Sequence, residues 1–243
     1  MYDKSARIYD LLYVGSGIKD YPAEAAELHR IIDEASPSAQ TLLDVACGTG
    51  AHLVEMQRWY AVEGVDLSPA MLAVARTRLP GIPLREADMR TLDLGRTFDA
   101  VTCLFSSIGY MLDDADMRSA IARLAAHVAP GGVLIIDGWL RPGEWRDNFR
   151  PDSPDVASDD DLTVVRLSFS RRQGNITELD MHHLVQSDAG VEYFMEPHRL
   201  RLTETDDYVS AVTDAGLNAR VIPDYMPNRD RIVGTRTSAT TTK

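Results

Sequence analysis

The sequence has little cysteine and no long apolar run. Its 2 cysteines, Cys47 and Cys103, lie in separate apolar segments without the spacing of metal ligands. They are too few for a disulfide framework, so we interpret both as reduced core thiols and expect no metal site. The first residues, MYDKSARIYD, lack the apolar core of a signal peptide, and no run approaches the roughly 20 apolar residues that span a bilayer. We therefore expect a cytoplasmic protein that does not bind a membrane.

Basic residues are scarce relative to acidic ones. The chain has 25 Lys plus Arg against 37 Asp plus Glu, which gives a formal net charge of -12. This balance opposes the phosphate-neutralising surface that nucleic-acid binding needs, so we expect no nucleic-acid partner. The hydrophobic fraction of 44% and the charged fraction of 26% are typical of soluble globular proteins. A length of 243 residues suits one large domain, or one domain with an insertion.

Short apolar runs alternate with helix-compatible stretches in the first part of the chain. The runs are too short for helices and are typical of buried strands; they lie at 41–46, 61–66, 82–87, 98–105 and 133–137. The helix-compatible stretches lie at 22–35, 51–58, 68–78 and 114–128. We expect the sequence PGG at 130–132 to break the chain before the fifth strand. The alternation predicts right-handed crossovers and a parallel α/β sheet.

The pattern changes after residue 137. Three β-rich segments, parted by QGN and DAG turns, predict an antiparallel insertion; they lie at 161–171, 175–186 and 190–202. The helix and strand pattern then returns at 203–216, 218–222 and 230–235. We therefore expect three units: an N-terminal segment with the core at 1–137, the insertion at 138–202, and the C-terminal completion of the core at 203–243. The insertion is suited either to covering a pocket or to forming a homodimer contact, and its pattern leaves both open.

The first predicted strand ends in a glycine-containing turn with the sequence DVACGTG at 44–50. Gly48 and Gly50 allow a ligand to approach the backbone closely, and the N–H groups of the following helix offer donors to an anionic group. Asp44 opens the same turn. A tight connection between strand and helix is the alternative explanation of the glycines.

Acidic residues follow the next two strands. Asp66 lies where doubly wound sheets place a carboxylate that accepts from ribose hydroxyls. The dinucleotide fingerprint requires glycine at position 53, which is Leu53, so NAD is disfavoured. After the third strand, the Asp88 carboxylate can accept from the exocyclic amine of an adenine, and the Met89 thioether can pack on the adenine face. The alternative is that Asp88 caps a helix and Met89 belongs to the core. Because ligands of such sheets bind at the carboxyl ends of strands, the three ends together predict a nucleoside cofactor site.

These three strand ends resemble the motifs of class I S-adenosylmethionine-dependent methyltransferases, over most of residues 40–137. The resemblance implies a Rossmann-like sheet and S-adenosylmethionine as the cofactor. Two positions depart from the family pattern. Ala46 replaces the usual first glycine of the motif, and Asp66 stands where Glu is commoner.

A narrower resemblance extends over nearly the whole chain. It is carried by Tyr2, Tyr9-Asp10-Leu11, Lys19-Asp20-Tyr21, LLDVACGTG at 42–50, ADMR at 87–90, FSSIGYM at 105–111 and Asn228-Arg229. These motifs are similar to those of the desosamine and mycaminose N,N-dimethyltransferases, which methylate the 3-amino group of a dTDP-linked deoxy sugar in natural-product biosynthesis. The ring position of the amine, and whether one or two methyl groups are added, stay open for this chain.

The resemblance implies roles for individual residues. The cofactor site would be lined by Tyr9, Ala46, Asp66, Asp88, Met89 and Leu104, beside Asp44, Gly48 and Gly50 of the turn. The nucleotide sugar would be faced by Tyr21, Trp139, Arg166, Ser170 and Arg229, and the reacting amine would be flanked by Tyr2 and Tyr110. A guanidinium such as that of Arg229 suits the oxygens of a diphosphate, with a solvated surface arginine as the alternative.

The expected reaction is an in-line transfer of a methyl group to a neutral amine. Positioning of reactants is worth roughly 7–11 kcal/mol, so orientation by Tyr2 and Tyr110 is expected to suffice without a dedicated strong base. In relatives the position of Tyr110 can be histidine, and residues 137–140 depart from a Glu-Pro-Trp-Trp pattern. His182 and His183 lie in an alternating β segment and are expected to point to opposite faces as structural residues.

Two other functions remain open from the sequence. One is an O- or C-methyltransferase of another small metabolite, although such nucleophiles need stronger activation than the visible residues offer. The other is a non-catalytic module that binds S-adenosylmethionine without turnover.

Overall fold

A central sheet of seven strands organises the fold. The computed structural model describes residues 2, 4–146 and 154–238. The strand order is β10-β11-β5-β4-β1-β2-β3, in which β11 is antiparallel to both β5 and β10 while the other pairs are parallel. The strands are β1 (Thr41–Val45), β2 (Ala61–Asp66), β3 (Leu84–Glu86), β4 (Phe98–Cys103), β5 (Val128–Asp137), β10 (Asn218–Met226) and β11 (Arg229–Thr235). From β1 the chain adds β2 and β3 on one side and then β4 and β5 on the other. Doubly wound sheets bind their ligands at such a switch point.

Helices cover both faces of this sheet. They are α1 (Tyr9–Gly15), α2 (Tyr21–Ala35), α3 (Ala51–Met56), α4 (Pro69–Arg78), α5 (Asp114–Ala126) and α6 (Thr205–Asp214), with short 3₁₀ turns at Ser5–Arg7, Ser107–Tyr110 and Pro142–Glu144. The α4 helix begins as its sequence predicts, since the Ser68 side chain accepts from the Met71 N–H and Pro69 occupies the first turn. Among the described residues no helix is long and apolar enough to cross a membrane.

A second sheet is inserted after β5. Its four antiparallel strands run in the order β6-β7-β8-β9 and are β6 (Asp155–Ser158), β7 (Thr163–Gln173), β8 (Ile176–Ser187) and β9 (Gly190–Arg201). The predicted α/β fold with an antiparallel insertion after the fifth strand is therefore confirmed. Strand alternation gives the sheet an inner face, which turns Arg166, Leu179 and Leu200 toward the central sheet.

The N-terminal segment joins the two sheets. Ile8 and Leu12 are fully buried against Ala157, Val164 and Phe194 of the inserted sheet. The backbone N–H groups of Lys4 and Ser5 donate to the Glu196 carboxylate, and the Ser5 hydroxyl donates to it as well. Residues near the start of the chain therefore form part of the wall between the sheets.

The fold differs from the sequence predictions in the fifth strand and in two short elements. The fifth strand begins at Val128 and continues through Gly131 and Gly132, so the prediction that PGG breaks the chain before it is wrong. Gly131 has φ +79, and the pairing with β4 shifts register between Phe98 and Ala100, so the glycines form a bulge within the strand. Helix α1 and strand β6 were not predicted.

Candidate active site

A cavity of about 550 Å³ lies between the carboxyl ends of the central strands and the inner face of the inserted sheet. It is lined by almost all of the predicted site residues: Tyr2, Tyr9, Tyr21, Asp44, Ala46, Gly48, Asp66, Asp88, Met89, Leu104, Tyr110, Trp139, Arg166, Ser170 and Arg229. The exception is Gly50. The fold thus places residues that are up to 227 positions apart in sequence, Tyr2 and Arg229, around one space.

The turn after β1 forms one wall of the cavity. Ala46 and Gly48 have φ +62 and +56, and the N–H of Gly48 donates to Asp66 Oδ2 at 2.8 Å. Gly50 also has a positive φ, but a Cβ there would lie 2.8 Å from Leu79 Cδ1 and 3.2 Å from Ala75 Cβ. Gly50 does not line the cavity, and its lack of a Cβ allows α3 to pack closely on α4; its part in the cofactor site stays a prediction.

Asp66 is fixed by backbone donors at the end of β2. Its Oδ1 accepts from the Ser68 N–H at 2.8 Å, while Oδ2 accepts from Gly48. Burial raises the pKa of Asp66, and these backbone hydrogen bonds oppose the increase. Because a carboxylate has about four acceptor sites, it keeps capacity for the two hydroxyls of a ribose.

Asp88 is held by Arg90. The guanidinium donates from Nε and Nη2 to both carboxylate oxygens, at 2.6–3.0 Å, and these hydrogen bonds lower the pKa of Asp88. Asp88 thus stays ionised and oriented at the cavity edge. Met89 beside it packs partly against the core.

A buried acid lies below the turn. Asp44 accepts from Thr102 Oγ1 at 2.7 Å, and burial raises the pKa of its carboxyl group to about 6.

Tyr21 and the Lys19 ammonium lie on another side of the cavity. Lys19 pairs with Glu24 and lies 3.9 Å from the ring centroid of Phe105, whereas Tyr21 donates to Asp10.

Three aromatic side chains form a hydrogen-bonded chain beside the cavity. The Tyr2 and Tyr110 hydroxyls are 2.7 Å apart, and the Tyr110 hydroxyl lies 2.9 Å from His198 Nδ1. Burial raises the pKa of both tyrosines, so they are phenols at neutral pH. His198 was not predicted; its inward position could have been inferred from its alternation with Phe194 and Leu200 on β9.

Two arginines line the cavity in different settings. Arg166 pairs with Asp155 at 2.7 Å and lies over the Tyr13 ring. Arg229 stacks on Trp139, 4.2 Å from the ring centroid, and no carboxylate of the described residues lies within ion-pairing distance of it. Trp139 is fixed by a hydrogen bond from its indole N–H to Thr177, 3.2 Å away. Arg229 therefore presents to the cavity a guanidinium that is not neutralised by an ion pair with a described carboxylate.

The two neighbouring histidines of β8 behave as expected. His182 hydrogen-bonds to the Tyr193 hydroxyl on the outer face of the inserted sheet, while His183 is buried and stacks on Phe194. Across the described residues no group of three His, Cys, Asp or Glu side chains is arranged to hold a metal ion.

Comparisons with known proteins agree with this geometry. The sequence profile of the family described as "Methyltransferase domain" matches residues 42–132. The chain is 42% identical, over 94% of its length and 89% of the relative, to the dTDP-3-amino-3,6-dideoxy-alpha-D-glucopyranose N,N-dimethyltransferase of Streptomyces fradiae.

Two solved structures are similar over nearly their whole length. DesVI of Streptomyces venezuelae superposes with a TM-score of 0.89 at 39% identity, covering 96% of this chain and 98% of DesVI. The amino pentose methyltransferase CalS10 of Micromonospora echinaspora, solved with S-adenosylmethionine bound, gives a TM-score of 0.85 at 42% identity and covers 95% and 97% of the two chains. The protein therefore belongs to the family of S-adenosylmethionine-dependent methyltransferases that includes these amino-sugar enzymes.

Proposed function

We propose that the protein is an N-methyltransferase, and specifically an N,N-dimethyltransferase, that acts on the amino group of a dTDP-linked deoxy amino sugar in natural-product biosynthesis. The observation that carries this proposal is Arg229. It presents a guanidinium that is not neutralised by an ion pair with a described carboxylate to a cavity that the strand-end acids Asp66 and Asp88 also line. In a chain of net charge -12, such a charge suits a ligand that is itself anionic.

The cofactor half of the proposed site fits S-adenosylmethionine. Asp66 would accept from the ribose hydroxyls, and Asp88 with Met89 would contact the adenine. Asp44 and the turn with Ala46 and Gly48 would face the amino-acid end, lined also by Tyr9 and Leu104. When bound, S-adenosylmethionine supplies an electrophilic methyl group.

The substrate half is proposed to hold the nucleotide sugar. Arg229 would bind the diphosphate, and the indole of Trp139 keeps its guanidinium in place. Arg166 is already neutralised by Asp155, so we assign it, together with Ser170 and Tyr21, to polar contacts with the sugar and nucleotide.

The amine is proposed to lie against Tyr2 and Tyr110. Their hydroxyls are acceptors for amine N–H bonds, and accepting those bonds turns the nitrogen lone pair toward the methyl donor. Because burial raises the pKa of both phenols, both stay protonated at neutral pH. Neither therefore supplies the phenolate that would act as a strong base. The surrounding apolar side chains exclude water, so the protein contributes chiefly by positioning.

The proposal is tested by mass spectrometry of dTDP-3-amino and dTDP-4-amino deoxy sugars incubated with the protein and S-adenosylmethionine. We expect a gain of two methyl masses on one of these sugars. No gain on any sugar, with cofactor binding confirmed by calorimetry, would contradict the proposal. Methylation of a hydroxyl or carbon instead would support the O- or C-methyltransferase alternative, whereas binding without turnover of any acceptor would support a non-catalytic module.

Arg229→Met tests the substrate half separately. We expect KM for the nucleotide sugar to rise about 10- to 100-fold, the range of a hydrogen bond to a charged group, with cofactor affinity unchanged. The matched control is Arg220→Met, because Arg220 is exposed on β10 and does not line this cavity. Equal effects of the two substitutions would contradict the assignment of Arg229.

We also propose that the protein is a homodimer that works in the cytoplasm. The outer face of the inserted sheet exposes a group of large apolar side chains: Val156, Leu167, Phe169, Leu184, Val191, Tyr193 and Met195. Acids and arginines border this outer face, including Glu178, Asp180, Arg171 and Arg199, so it is complementary to a second copy related by a two-fold axis. Sedimentation velocity over a concentration series tests the dimer.

The proposed cytoplasmic location is supported by the two free cysteines, Cys47 and Cys103, because unpaired thiols suit a reducing compartment.

A further inference from the structure

His198 ends the chain of hydrogen bonds that begins at Tyr2. Its Nδ1 lies 2.9 Å from the Tyr110 hydroxyl, and its ring centroid is 4.7 Å from that of Tyr2. Only 2% of the residue is exposed, and its buried Nε2 atom has no hydrogen-bond partner among the described residues. A buried polar atom without a partner is costly, so the position of this imidazole needs an explanation beyond packing.

The imidazole is poorly suited to act as a base. Burial lowers the pKa of His198 to about 4, and the charges of His183 and Arg166 act in the same direction, while Glu196 opposes them. His198 also does not line the cavity, and among the described residues its one side-chain hydrogen bond leads to the cavity through Tyr110. A neutral imidazole in this place can still accept one hydrogen bond at Nδ1.

The direction of the chain decides what the tyrosines offer to a ligand. When Nδ1 accepts the Tyr110 proton, the Tyr110 oxygen is free to accept from Tyr2, and the Tyr2 oxygen is free to accept from an amine. When Nδ1 carries the proton, the chain reverses, and Tyr2 donates outward to the amine lone pair. The second arrangement ties up the electrons that must attack the methyl group.

We propose that His198 is a positioning residue whose Nδ1 accepts from Tyr110, so that the Tyr2 and Tyr110 oxygens act as acceptors toward the amine and leave its lone pair free. This inference rests on the proposed amino-sugar function. In this arrangement the imidazole proton is on Nε2, which has no acceptor among the described residues, so the hydrogen bond at Nδ1 is the one that the histidine makes through its ring. The histidine then sets the polarity of two hydroxyls without touching the substrate.

A double-mutant cycle tests the route through Tyr110. We expect His198→Leu to lower kcat about three- to tenfold, the equivalent of one hydrogen bond, with little change in KM. In the Tyr110→Phe background, the same substitution should change kcat less than about twofold, because the link to His198 is already broken. Equal losses in both backgrounds would overturn the proposal in favour of a general packing role.

Two further variants separate positioning from packing. His198→Asn offers a side-chain acceptor near the Nδ1 position, and we expect it to recover most of the kcat lost in His198→Leu. His183→Leu is the matched control, since His183 is equally buried on the same face but, among the described residues, forms no hydrogen bond with Tyr110 or Tyr2. We expect it to leave kcat unchanged; a similar loss of kcat in His183→Leu would overturn the proposal.

The proton position can be measured without turnover. Long-range ¹H–¹⁵N spectra of the histidine-labelled protein, assigned with His198→Asn, should show a neutral His198 with its proton on Nε2. A proton on Nδ1 would overturn the inference whatever the kinetics show. Absence of wild-type turnover on any amino sugar would instead reject the proposed function, and the spectra would still decide the direction of this hydrogen bond.

Discussion

Ala46 lies at a position where the backbone favours glycine. Its φ is +62, and a left-handed residue with a Cβ costs roughly 1–2 kcal/mol, so this alanine is strained in the folded protein. We predict that Ala46→Gly raises the free energy of unfolding by up to about 1 kcal/mol, because relief of strain exceeds the added entropy of the unfolded chain. Urea denaturation without ligand measures the change.

The reverse substitution elsewhere provides the control. Gly174 has φ +61 in the turn between β7 and β8, and a Cβ there would meet no atom within 4 Å. Gly174→Ala should therefore destabilise the protein by about 1 kcal/mol through backbone strain alone. A destabilised Ala46→Gly variant beside the expected Gly174→Ala result would show that the Ala46 methyl group makes packing contacts that outweigh the strain.

Asp44 predicts a pH dependence of stability. Burial raises the pKa of this carboxyl group to about 6, above the ordinary value of an aspartate, which is about 3.9. Between about pH 4 and pH 6 the folded state then binds more protons at this carboxyl than the unfolded chain, so its contribution to the free energy of unfolding falls as pH rises. Above pH 6 the full penalty is about 3 kcal/mol. We predict that Asp44→Asn stabilises the ligand-free protein at pH 7.5 but not at pH 4.

The comparison of variant with wild type isolates this carboxyl from the others. Asparagine keeps an oxygen that can accept from Thr102, so the neighbouring hydrogen bond is preserved. Chemical denaturation of both proteins at the two pH values gives the difference. A stability difference that is the same at pH 4 and pH 7.5 would contradict the raised pKa of Asp44.

The sequence was sufficient to predict individual residues at the strand ends. Asp44 lies near the end of a short apolar run, Asp66 ends the next and Asp88 follows the third, and parallel strands bring their carboxyl ends to the same edge of the sheet. His198 could not be assigned in this way. The role of His198 depends on its hydrogen bond with Tyr110, which lies outside the inserted sheet. The two residues are 88 positions apart in sequence.

At the scale of elements, the pairing of β5 with β11 supports the loop that carries Tyr110. Asp137 at the end of β5 is buried and pairs with Arg231 of β11 at 2.6 Å, and its second oxygen accepts from the Phe105 N–H. Phe105 and Ser106 have φ +50 and +64, so this hydrogen bond helps to hold two left-handed residues just before the turn Ser107–Tyr110. The ion pair thus stabilises the backbone that leads into the active site.

We predict that Arg231→Leu lowers the free energy of unfolding by about 3–5 kcal/mol, because it leaves the charge of Asp137 buried without a partner. The double variant Asp137→Asn with Arg231→Leu should recover more than half of this loss, since the amide oxygen still accepts from Phe105. Arg118→Leu is the control: Arg118 forms exposed ion pairs, and we expect a loss below about 1 kcal/mol. A double variant as unstable as the single one would contradict this account.

Most elements could be predicted because their periodicity is strong, but two short ones could not. Helix α1 has 7 residues and acquires its stability from packing on the inserted sheet rather than from its own pattern. Strand β6 has 4 residues, too few for a clear alternating pattern, and its formation depends on pairing with β7.

At the scale of the whole molecule, the candidate active site is formed where the central sheet, the inserted sheet and the N-terminal segment meet. The strand ends supply Asp66 and Asp88, and the start of the chain supplies Tyr2. The inserted sheet supplies Arg166, together with His198, which hydrogen-bonds to Tyr110. Sequence patterns predicted the sheets, but they do not specify how one sheet lies against the other. The polar network around Tyr110 therefore became visible only with the tertiary structure.

The outer face of the inserted sheet gives a prediction for the whole assembly. Leu184 lies within its apolar group, next to Tyr193, and is 45% exposed. In a dimer with two-fold symmetry each copy buries its own Leu184, so Leu184→Lys places two unpaired charges in the interface. We predict that Leu184→Lys weakens dimerisation at least about 100-fold. The control Val221→Lys, on the exposed strand β10, should leave the mass of the sedimenting species equal to that of the wild type. Because the cavity lies on the inner face, the monomeric variant should keep its kcat; wild-type protein that sediments as a monomer at every concentration would contradict the dimer.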